Sequence, residues 1–274
     1  MAKVAENELR EEKQRARKQW GSDPAGAVYG RDLEFGSKEF FDEVERHRYQ
    51  EYAPWMPEVM GFNEHAGQSL LEVGCGMGTD LLQFARGGAI CTGVDLTPRS
   101  IEISRHRFKL YDVPGTFLIA DGERLPFPDN SFDVVYSNGV LHHTPDTKGA
   151  VQEIHRVLRP GGIAKVMLYY RHSLNYWGEI MLHRGLLRGQ LLRGDTPEEI
   201  MGRFVEVGEE TDPLVKVYNR SQARQLFKSF STIEFEVDQM IRAEFYALGQ
   251  MMPESIFNAL RKRFGWNLII TARK

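Results

Sequence analysis

The sequence predicts an α/β protein with a seven-stranded, mostly parallel sheet and helices on both faces. Between residues 69 and 168, short β-rich runs alternate with stretches of helical pattern, which is typical of a parallel sheet covered by helices. A glycine-rich turn follows the first of these runs, where a buried strand would pass into a helix. Five strands are therefore expected at residues 69–74, 89–95, 115–121, 132–138 and 162–170.

The helices and the last two strands are also visible in the sequence. Residues 97–111 and 148–158 carry helical patterns, and Arg-Pro-Gly-Gly at 159–162 is expected to end the second helix, because proline cannot continue a helix and glycine favours the turn. Ser221 is predicted to cap a later helix. The last strands, expected to form an antiparallel edge, lie near residues 231–238 and 266–272.

Four regions follow from these elements. Residues 1–65 predict a helical cap, in which residues 38–51 form a helix and the charged run at 6–18 is a solvated helix or a tail. The other predicted regions are the core at residues 66–170, a helical insertion at 171–220 and the completion of the sheet at 221–274.

Composition and charge argue against several classes of protein. The formal net charge is −3 and the pI is near 6.3, whereas a dedicated nucleic-acid binder needs a clearly basic surface. Cys75 and Cys91 are too few for a disulfide framework, and the charged N-terminus lacks the apolar run of a signal peptide. No run of about 18 apolar residues offers a membrane span. We therefore expect a cytoplasmic protein that does not bind nucleic acid.

The turn after the first strand carries the strongest chemical signal. Gly74, Gly76 and Gly78 would let the backbone approach a ligand closely, and the following helix begins with unpaired N–H groups. The dinucleotide pattern G-x-G-x-x-G needs glycine where this chain has Thr79. Glu72 adds negative charge, which would repel phosphates and favour the ammonium and sulfonium groups of S-adenosylmethionine.

Polar side chains also end the next three strands, at the edge where open α/β sheets bind ligands. Asp95, which precedes Leu96, is placed to hold two ribose hydroxyls through its carboxylate oxygens. Asp121, which precedes Gly122, is placed to accept a hydrogen bond from an adenine amino group. Asn138 ends the fourth strand, at the predicted methionine end of the site.

Four segments together resemble a known superfamily. They are LLEVGCGMGTD, GVDLT, DGERLPFPDNSFDVVYSNGVLHHTPD and RVLRPGG. Over residues 68–170 the chain is similar to the Rossmann-like (class I) S-adenosylmethionine-dependent methyltransferases, which include quinone-biosynthesis, sterol and many small-molecule methyltransferases. The resemblance implies S-adenosylmethionine as the cofactor. Around it would lie Glu72, Gly74, Gly76 and Gly78 at the methionine part, Asp95 and Leu96 at the ribose and adenine, Asp121 and Gly122 at the adenine, and the Asn138 backbone at the methionine amino group.

His142 and His143 follow the fourth strand and are the predicted catalytic residues. Histidine titrates near neutral pH, so either residue is suited to remove a proton from an oxygen or nitrogen acceptor. The alternative is that neither takes part in the chemistry, because methyl transfer can depend largely on positioning. Their spacing with His155 gives weak support for a metal site, so no metal is predicted.

Two alternatives remain for residues 174–193, where leucines and Trp177 are interleaved with Arg184, Arg188 and Arg193. The segment is either a lid over the acceptor pocket or a helix in peripheral contact with a membrane. Aromatic and aliphatic residues dominate both the cap and the insertion. The expected partner is therefore a small, fairly apolar acceptor that is methylated on oxygen, nitrogen or carbon.

Two other functions compete with a small-molecule methyltransferase. A nucleic-acid or protein methyltransferase is disfavoured because residues 138–141 are Asn-Gly-Val-Leu, not the N/D-P-P-aromatic motif of amino-methylating DNA enzymes, and neither cysteine follows a proline. A non-catalytic scaffold that keeps the cofactor fold is disfavoured because such a protein has no physical need for acids at three strand ends.

Overall fold

A seven-stranded sheet organises the chain. The computed structural model describes residues 2–22, 24–204, 214–242, 249 and 251–274. The strands are β1 (Ser69–Val73), β2 (Ile90–Asp95), β3 (Thr116–Ile119), β4 (Phe132–Asn138), β5 (Leu158–Tyr169), β6 (Thr232–Asp238) and β7 (Asn267–Arg273). Their order is β3-β2-β1-β4-β5-β7-β6, and β7 is antiparallel to both of its neighbours. The remaining pairs are parallel, which confirms the predicted α/β fold and its antiparallel edge.

Helices cover both faces of this sheet. The α-helices are α1 (Ala2–Ser22), α2 (Lys38–Arg46), α3 (Met56–Val59), α4 (Thr79–Arg86), α5 (Pro98–Leu110), α6 (Thr147–Val157), α7 (Pro197–Phe204), α8 (Arg220–Leu226) and α9 (Glu254–Phe264). Shorter or wider helical turns occur at Ala27–Gly30 and Leu191–Arg193, which are 3-10 helices, and at His47–Tyr52 and Asn175–Leu187, which are π-helices.

Alternation along the central strands builds a core on each face. Leu70 of β1 and Val134 of β4 pack with the apolar residues of α4 and α5. Leu71 and Val135 pack instead with those of α6 and α8. Successive side chains of a strand point to opposite faces, so a strand covered on both sides must be apolar throughout. This requirement explains the continuous apolar runs in the sequence.

The cap of α8 differs from the expectation. Asn219, and not Ser221, is the N-cap residue. The Gln222 backbone N–H donates to Asn219 Oδ1, and the Asn219 backbone N–H donates to Gln222 Oε1, both at 2.9 Å. This capping box satisfies two N–H groups that the helix itself leaves unpaired.

Two other boundaries also differ. The helix expected at residues 38–51 is α-helical only to Arg46 and continues as a π-helix. β5 begins at Leu158, because residues 159–162 form an irregularity within the strand before its pairing with β4 resumes at Ile163. The division into four regions remains a prediction. Parts of those regions lie outside the described residues, namely residues 1, 23, 205–213, 243–248 and 250.

An ion pair between the partly exposed Arg48 and the buried Asp80 ties the N-terminal region to the sheet. Arg48 donates to Asp80 through Nε at 2.6 Å and through Nη2 at 2.7 Å. The hydroxyls of Tyr49 and Tyr136 donate to the same carboxylate at 2.6 and 2.8 Å. Burial opposes ionisation of Asp80, but Arg48 and these hydrogen bonds outweigh it and hold the pKa of the carboxyl below its ordinary value of 3.8.

Arg48→Met is expected to destabilise the protein and to reverse the pH dependence that Asp80 contributes. In the native protein the pKa of Asp80 is lower than in the unfolded chain, so its stabilisation is present above 3.8 and is lost as the pH falls below that value. Without the arginine, burial would raise this pKa, and stability would instead fall as the pH rises above the ordinary value. We expect a loss of about 3–5 kcal/mol at neutral pH, measured by urea unfolding at several pH values.

Arg46→Met is the matched control. Arg46 is partly exposed and donates to Glu43 and Glu51 on neighbouring turns. Exposed pairs of this kind contribute about 0–1 kcal/mol. An equal loss of stability in the two variants, or an unchanged pH dependence in Arg48→Met, would contradict the anchoring role of Arg48.

Candidate functional site

The glycine turn between β1 and α4 adopts a backbone that other residues avoid. Gly74, Gly76 and Gly78 have φ angles of +78°, +51° and +69°, in the left-handed region that glycine enters readily. A Cβ on Gly74 would lie 2.3 Å from Cγ2 of Val140, so no side chain fits there. A Cβ on Gly76 would meet nothing within 4 Å, because this residue borders open space. Gly78 lies against Ser104 instead.

A first cavity lies over the carboxyl ends of β1, β2, β3 and β4. Strand ends far apart in the sequence meet there, as expected for an open parallel sheet. The predicted site residues that line it are Gly74, Gly76, Asp95, Leu96, Asp121, Gly122, Asn138 and His143. The predicted residues outside its lining are Glu72, Gly78 and His142. The structure thus brings most of these residues together, and the binding role of each remains a prediction.

Asp95 ties the glycine turn to the start of α5. Its Oδ2 accepts a hydrogen bond from the Gly76 backbone N–H at 3.0 Å. Its Oδ1 accepts from the backbone N–H and the hydroxyl of Thr97, both at 2.9 Å. Burial raises the pKa of this carboxyl, and the hydrogen bonds from Thr97 and Gly76 oppose that rise. Asp95 therefore holds the turn in place while it borders the first cavity.

Helix α1 closes the first cavity on the side opposite the sheet. Lys13, Ala16 and Trp20 line it. Lys13 Nζ donates to Asp121 Oδ2 at 2.6 Å and also pairs with Glu123. The charged run at residues 6–18 was expected to be a solvated helix or a tail, and this expectation is wrong for the face that carries these three residues. No local pattern in the sequence distinguishes Lys13 from the other charged residues of the run.

A second cavity continues the first toward β5 and β7. The residues that line both cavities are Trp20, Ala25, Gly74, Gly76, Asn138 and Gly139. Aromatic and sulfur-containing side chains dominate the far end of the second cavity, namely Tyr29, Tyr52, Met56, Met167 and Tyr169. A ligand held over the shared residues would therefore face these apolar side chains and also the polar groups of Arg48, Glu72 and Asn267.

Three residues that line the second cavity carry a buried acceptor oxygen without a hydrogen-bond partner among the described residues. These atoms are Glu72 Oε2, Asn138 Oδ1 and Asn267 Oδ1. A buried acceptor that is left unpaired costs about 1–3 kcal/mol, so the site favours ligands that carry N–H, ammonium or hydroxyl donors. Asn267 begins β7 outside every sequence motif, and sequence reasoning therefore missed it.

Glu72 has an unusual electrostatic environment. It is 3% exposed. Burial and the negative charges of Asp80 and Asp95 raise the pKa of its carboxyl well above the usual range, and Arg48 opposes this rise. A positively charged group bound nearby would favour the ionised carboxylate. The predicted preference of Glu72 for a cationic ligand thus has a physical basis in this structure, although the residue lines the second cavity and not the first.

The structure separates the two histidines. His142 is completely buried against Tyr169, with 3.8 Å between ring centroids, and lines neither cavity. Burial and the neighbouring His143 lower the pKa of His142 well below the ordinary value. His143 lines the first cavity, and its Nδ1 lies 2.8 Å from the carbonyl oxygen of Leu214. A carbonyl only accepts, so the neutral His143 ring carries its proton on Nδ1 and has Nε2 as its basic nitrogen.

Comparison with known families identifies the part of the chain that carries this geometry. A family model described as "Methyltransferase domain" matches residues 71–166, from β1 into β5. Residues 71–166 are therefore a methyltransferase domain by sequence. The predicted resemblance and the predicted cofactor are both confirmed.

Curated relatives share this methyltransferase domain. The chain is 41% identical over 98 residues to cycloartenol-C-24-methyltransferase of Arabidopsis thaliana, and 39% identical over 100 residues to 27-O-demethylrifamycin SV methyltransferase of Amycolatopsis mediterranei. It is 39% identical over 97 residues to demethylmenaquinone methyltransferase of Tropheryma whipplei. Each match spans 35% of this chain, and covers 29%, 37% and 40% of the respective relative. The similarity therefore describes the domain and not the whole of any relative.

Solved structures extend the similarity of fold beyond the domain. A methyltransferase from Methanosarcina mazei superposes with a TM-score of 0.58 at 19% identity, over 79% of this chain and 97% of that chain. The [4+2]-cyclase SpnF superposes with a TM-score of 0.53 at 19% identity, over 85% of this chain and 81% of that chain. At these identities the likeness concerns the fold alone.

The site fits S-adenosylmethionine in shape and in charge. The open space at Gly76 admits a ligand against the backbone of the turn. Asp95 and Asp121 supply carboxylates beside the first cavity, and their predicted partners are the ribose hydroxyls and the adenine amino group. Unpaired oxygens on Glu72 and Asn138 suit the positively charged methionine end.

Asp95→Asn is expected to weaken binding of S-adenosylhomocysteine by roughly 30-fold, or about 2 kcal/mol. The amide keeps the size of the side chain but loses the negative charge and one of the two acceptor oxygens. Isothermal titration calorimetry measures the change, with Asp129→Asn, an exposed carboxyl outside both cavities, as the control. Equal affinities in the two variants would contradict the assignment of Asp95 to the ribose.

Proposed function

We propose that the protein transfers the methyl group of S-adenosylmethionine to a small, fairly apolar molecule by in-line displacement. The observation that carries this proposal is that the two cavities share part of their lining. The first cavity is bordered by the acids that suit an adenosine group, and the second adjoins it at Gly74, Gly76 and Asn138. A cofactor in the first cavity and an acceptor in the second would meet at these shared residues, and their reacting atoms would lie close together.

The residues that line the two cavities would have different tasks in this reaction. When bound, S-adenosylmethionine would supply a methyl group whose carbon a nucleophile can attack, and the sulfur–carbon bond would break with its electron pair remaining on sulfur, so that S-adenosylhomocysteine is the leaving group. Asp95 and Asp121 would orient the adenosine group, and Glu72 would stabilise the positive charge near the transferred methyl. His143 lines the first cavity and not the second, so it would accept a proton at Nε2 from an acceptor whose oxygen or nitrogen reaches across the shared residues Gly74, Gly76 and Asn138. The apolar end of the second cavity would exclude water from this reaction.

The apolar lining favours a small acceptor over a macromolecule. Met56, Met167 and Tyr169 offer no charge that would complement a phosphate backbone, and Arg48 in the same lining is already paired with Asp80. The formal net charge of −3 also disfavours a nucleic acid as the acceptor. The names of the relatives give acceptors as different as cycloartenol, demethylmenaquinone and 27-O-demethylrifamycin SV, so the acceptor is proposed only by its chemical class.

The first experiment measures binding and transfer separately. We expect S-adenosylhomocysteine to bind with micromolar affinity in calorimetry and NAD not to bind. Transfer of a tritiated methyl group is then measured with a panel of hydroxylated aromatic compounds, quinols and sterols, with RNA, DNA and bulk protein as the competing acceptors. Binding without transfer to any acceptor would favour a scaffold, and transfer to a macromolecule alone would overturn the proposed acceptor class.

The two histidines are expected to respond differently to substitution. His143→Gln should lower kcat by about 10²–10⁴ if the ring acts as a general base, without a change in the affinity for S-adenosylhomocysteine. His142→Phe keeps an aromatic ring against Tyr169 and should lower kcat far less, because His142 lines neither cavity. These values are measured with the acceptor that the transfer assay identifies. Full activity of His143→Gln would show that transfer depends on positioning alone.

A further inference from the structure

The helix Asn175–Leu187 is apolar on two sides. Tyr176 and Ile180 on its inner side are buried and pack with Ile200, Met201 and Trp266. A helix at the surface of a protein normally places polar residues on its outer side. This helix and the turn that follows it place large apolar residues there as well, so the burial of the inner side does not explain the composition of the segment.

The outer side of this segment carries several of the exposed large apolar residues in the described part of the chain. Leu187 is 73% exposed and Leu192 is 82% exposed. The other exposed large apolar residues of the segment are Leu174, Trp177, Leu182 and Leu186. Clustered apolar residues of this size at the surface indicate a binding partner, whereas isolated ones do not.

The same segment also carries a group of basic residues. Arg184, Arg188 and Arg193 line one shallow depression together with His183. Glu179 is the only acidic residue between positions 174 and 193, and it pairs with Arg184 at 2.7 Å and with His183 at 2.9 Å. The segment therefore has a local excess of positive charge in a chain whose formal net charge is −3.

We propose that this surface binds an anionic lipid bilayer. The apolar–basic surface is defined as Trp177, Leu182, Leu186, Leu187 and Leu192 with Arg184, Arg188 and Arg193. Exposed leucines can enter the boundary of the acyl chains, and the arginines can contact lipid phosphates in the same plane. A depression lined by several arginines complements such phosphates directly. Protruding leucines need only a fluid apolar layer beneath that charge, whereas a protein partner needs a groove of matching shape.

This contact is peripheral. Among the helices in the described ranges, none has both the length and the apolarity needed to cross a membrane. The inner side of the same helix packs on Trp266. The ring centroids of Trp266 and Tyr169 are 4.5 Å apart, and Tyr169 lines the second cavity. A bound bilayer would therefore lie about one helix diameter, roughly 10 Å, from the wall of the second cavity. The inference goes beyond the proposed reaction and does not depend on the identity of the acceptor.

Vesicle flotation with the full chain tests the proposal. The two probes are vesicles of phosphatidylcholine alone and vesicles of phosphatidylcholine mixed with phosphatidylglycerol. We expect at least tenfold stronger binding to the mixed vesicles at low salt, and weaker binding as the salt concentration rises. Failure of the unmodified chain to bind the mixed vesicles would overturn the proposal.

Paired substitutions test the two chemical parts of the surface. Leu187→Asp with Leu192→Asp, and separately Arg188→Glu with Arg193→Glu, should each reduce binding to mixed vesicles by tenfold or more. The matched controls, Ile256→Asp on α9 and Arg220→Glu at the start of α8, alter exposed residues outside this segment and should bind as the unmodified chain does. Binding that survives either pair of substitutions would overturn the proposal.

Three further measurements separate this surface from the cofactor site and from a protein interface. Affinity for S-adenosylhomocysteine and the thermal midpoint should be the same in the paired variants as in the unmodified chain, so loss of vesicle binding would not result from unfolding. Sedimentation at several concentrations reports self-association. A dimer that the leucine substitutions convert to a monomer, together with no binding to mixed vesicles, would assign the surface to a second copy of this chain and overturn the lipid proposal.

Discussion

The left-handed glycine turn between β1 and α4 is the constraint on which the rest of the site depends. Its φ angles and the close approach of Val140 exclude larger residues, and the turn leaves backbone exposed at a sheet edge. Asp95 holds the turn through the N–H of Gly76 and lines the adjacent cavity. The same carboxylate therefore serves the fold and the proposed binding of ribose, and the strand ends beside it are positioned by the same packing.

Several acids lie around this turn, and their negative charge would favour a cationic ligand. Asp80 and Asp95 lie close enough to raise the pKa of Glu72. Arg48 mainly compensates the negative charge of Asp80. Burying several acids beside one cation is costly, because desolvation penalises each charge. A bound sulfonium or ammonium would relieve part of that cost. At the other end of the site Lys13 pairs with Asp121, so α1 contributes a cation where adenine is expected to bind.

The helix at 175–187 lies between the second cavity and the surface of the protein. Buried residues of the helix at 175–187 pack beside Trp266 and Tyr169 at the far end of the second cavity, while its outer side presents leucines and arginines. The two alternatives for residues 174–193, a lid and a membrane contact, are therefore compatible, because each uses a different side of the same helix. An apolar acceptor and an apolar surface would share one region of the molecule.

The sequence by itself determined the sheet and the carboxyl ends of its central strands, because continuous apolar runs and the glycine turn are local patterns, and the resemblance of its motifs to a known superfamily determined the cofactor. The cap of α8 was misplaced by two residues, since asparagine and serine both cap helices and only the reciprocal bond with Gln222 selects Asn219. Only the tertiary structure separated His142 from His143, brought Lys13 onto Asp121 and placed Asn267 beside the second cavity. Those contacts join residues distant along the chain, and packing between elements decides them, so no local pattern carries the information.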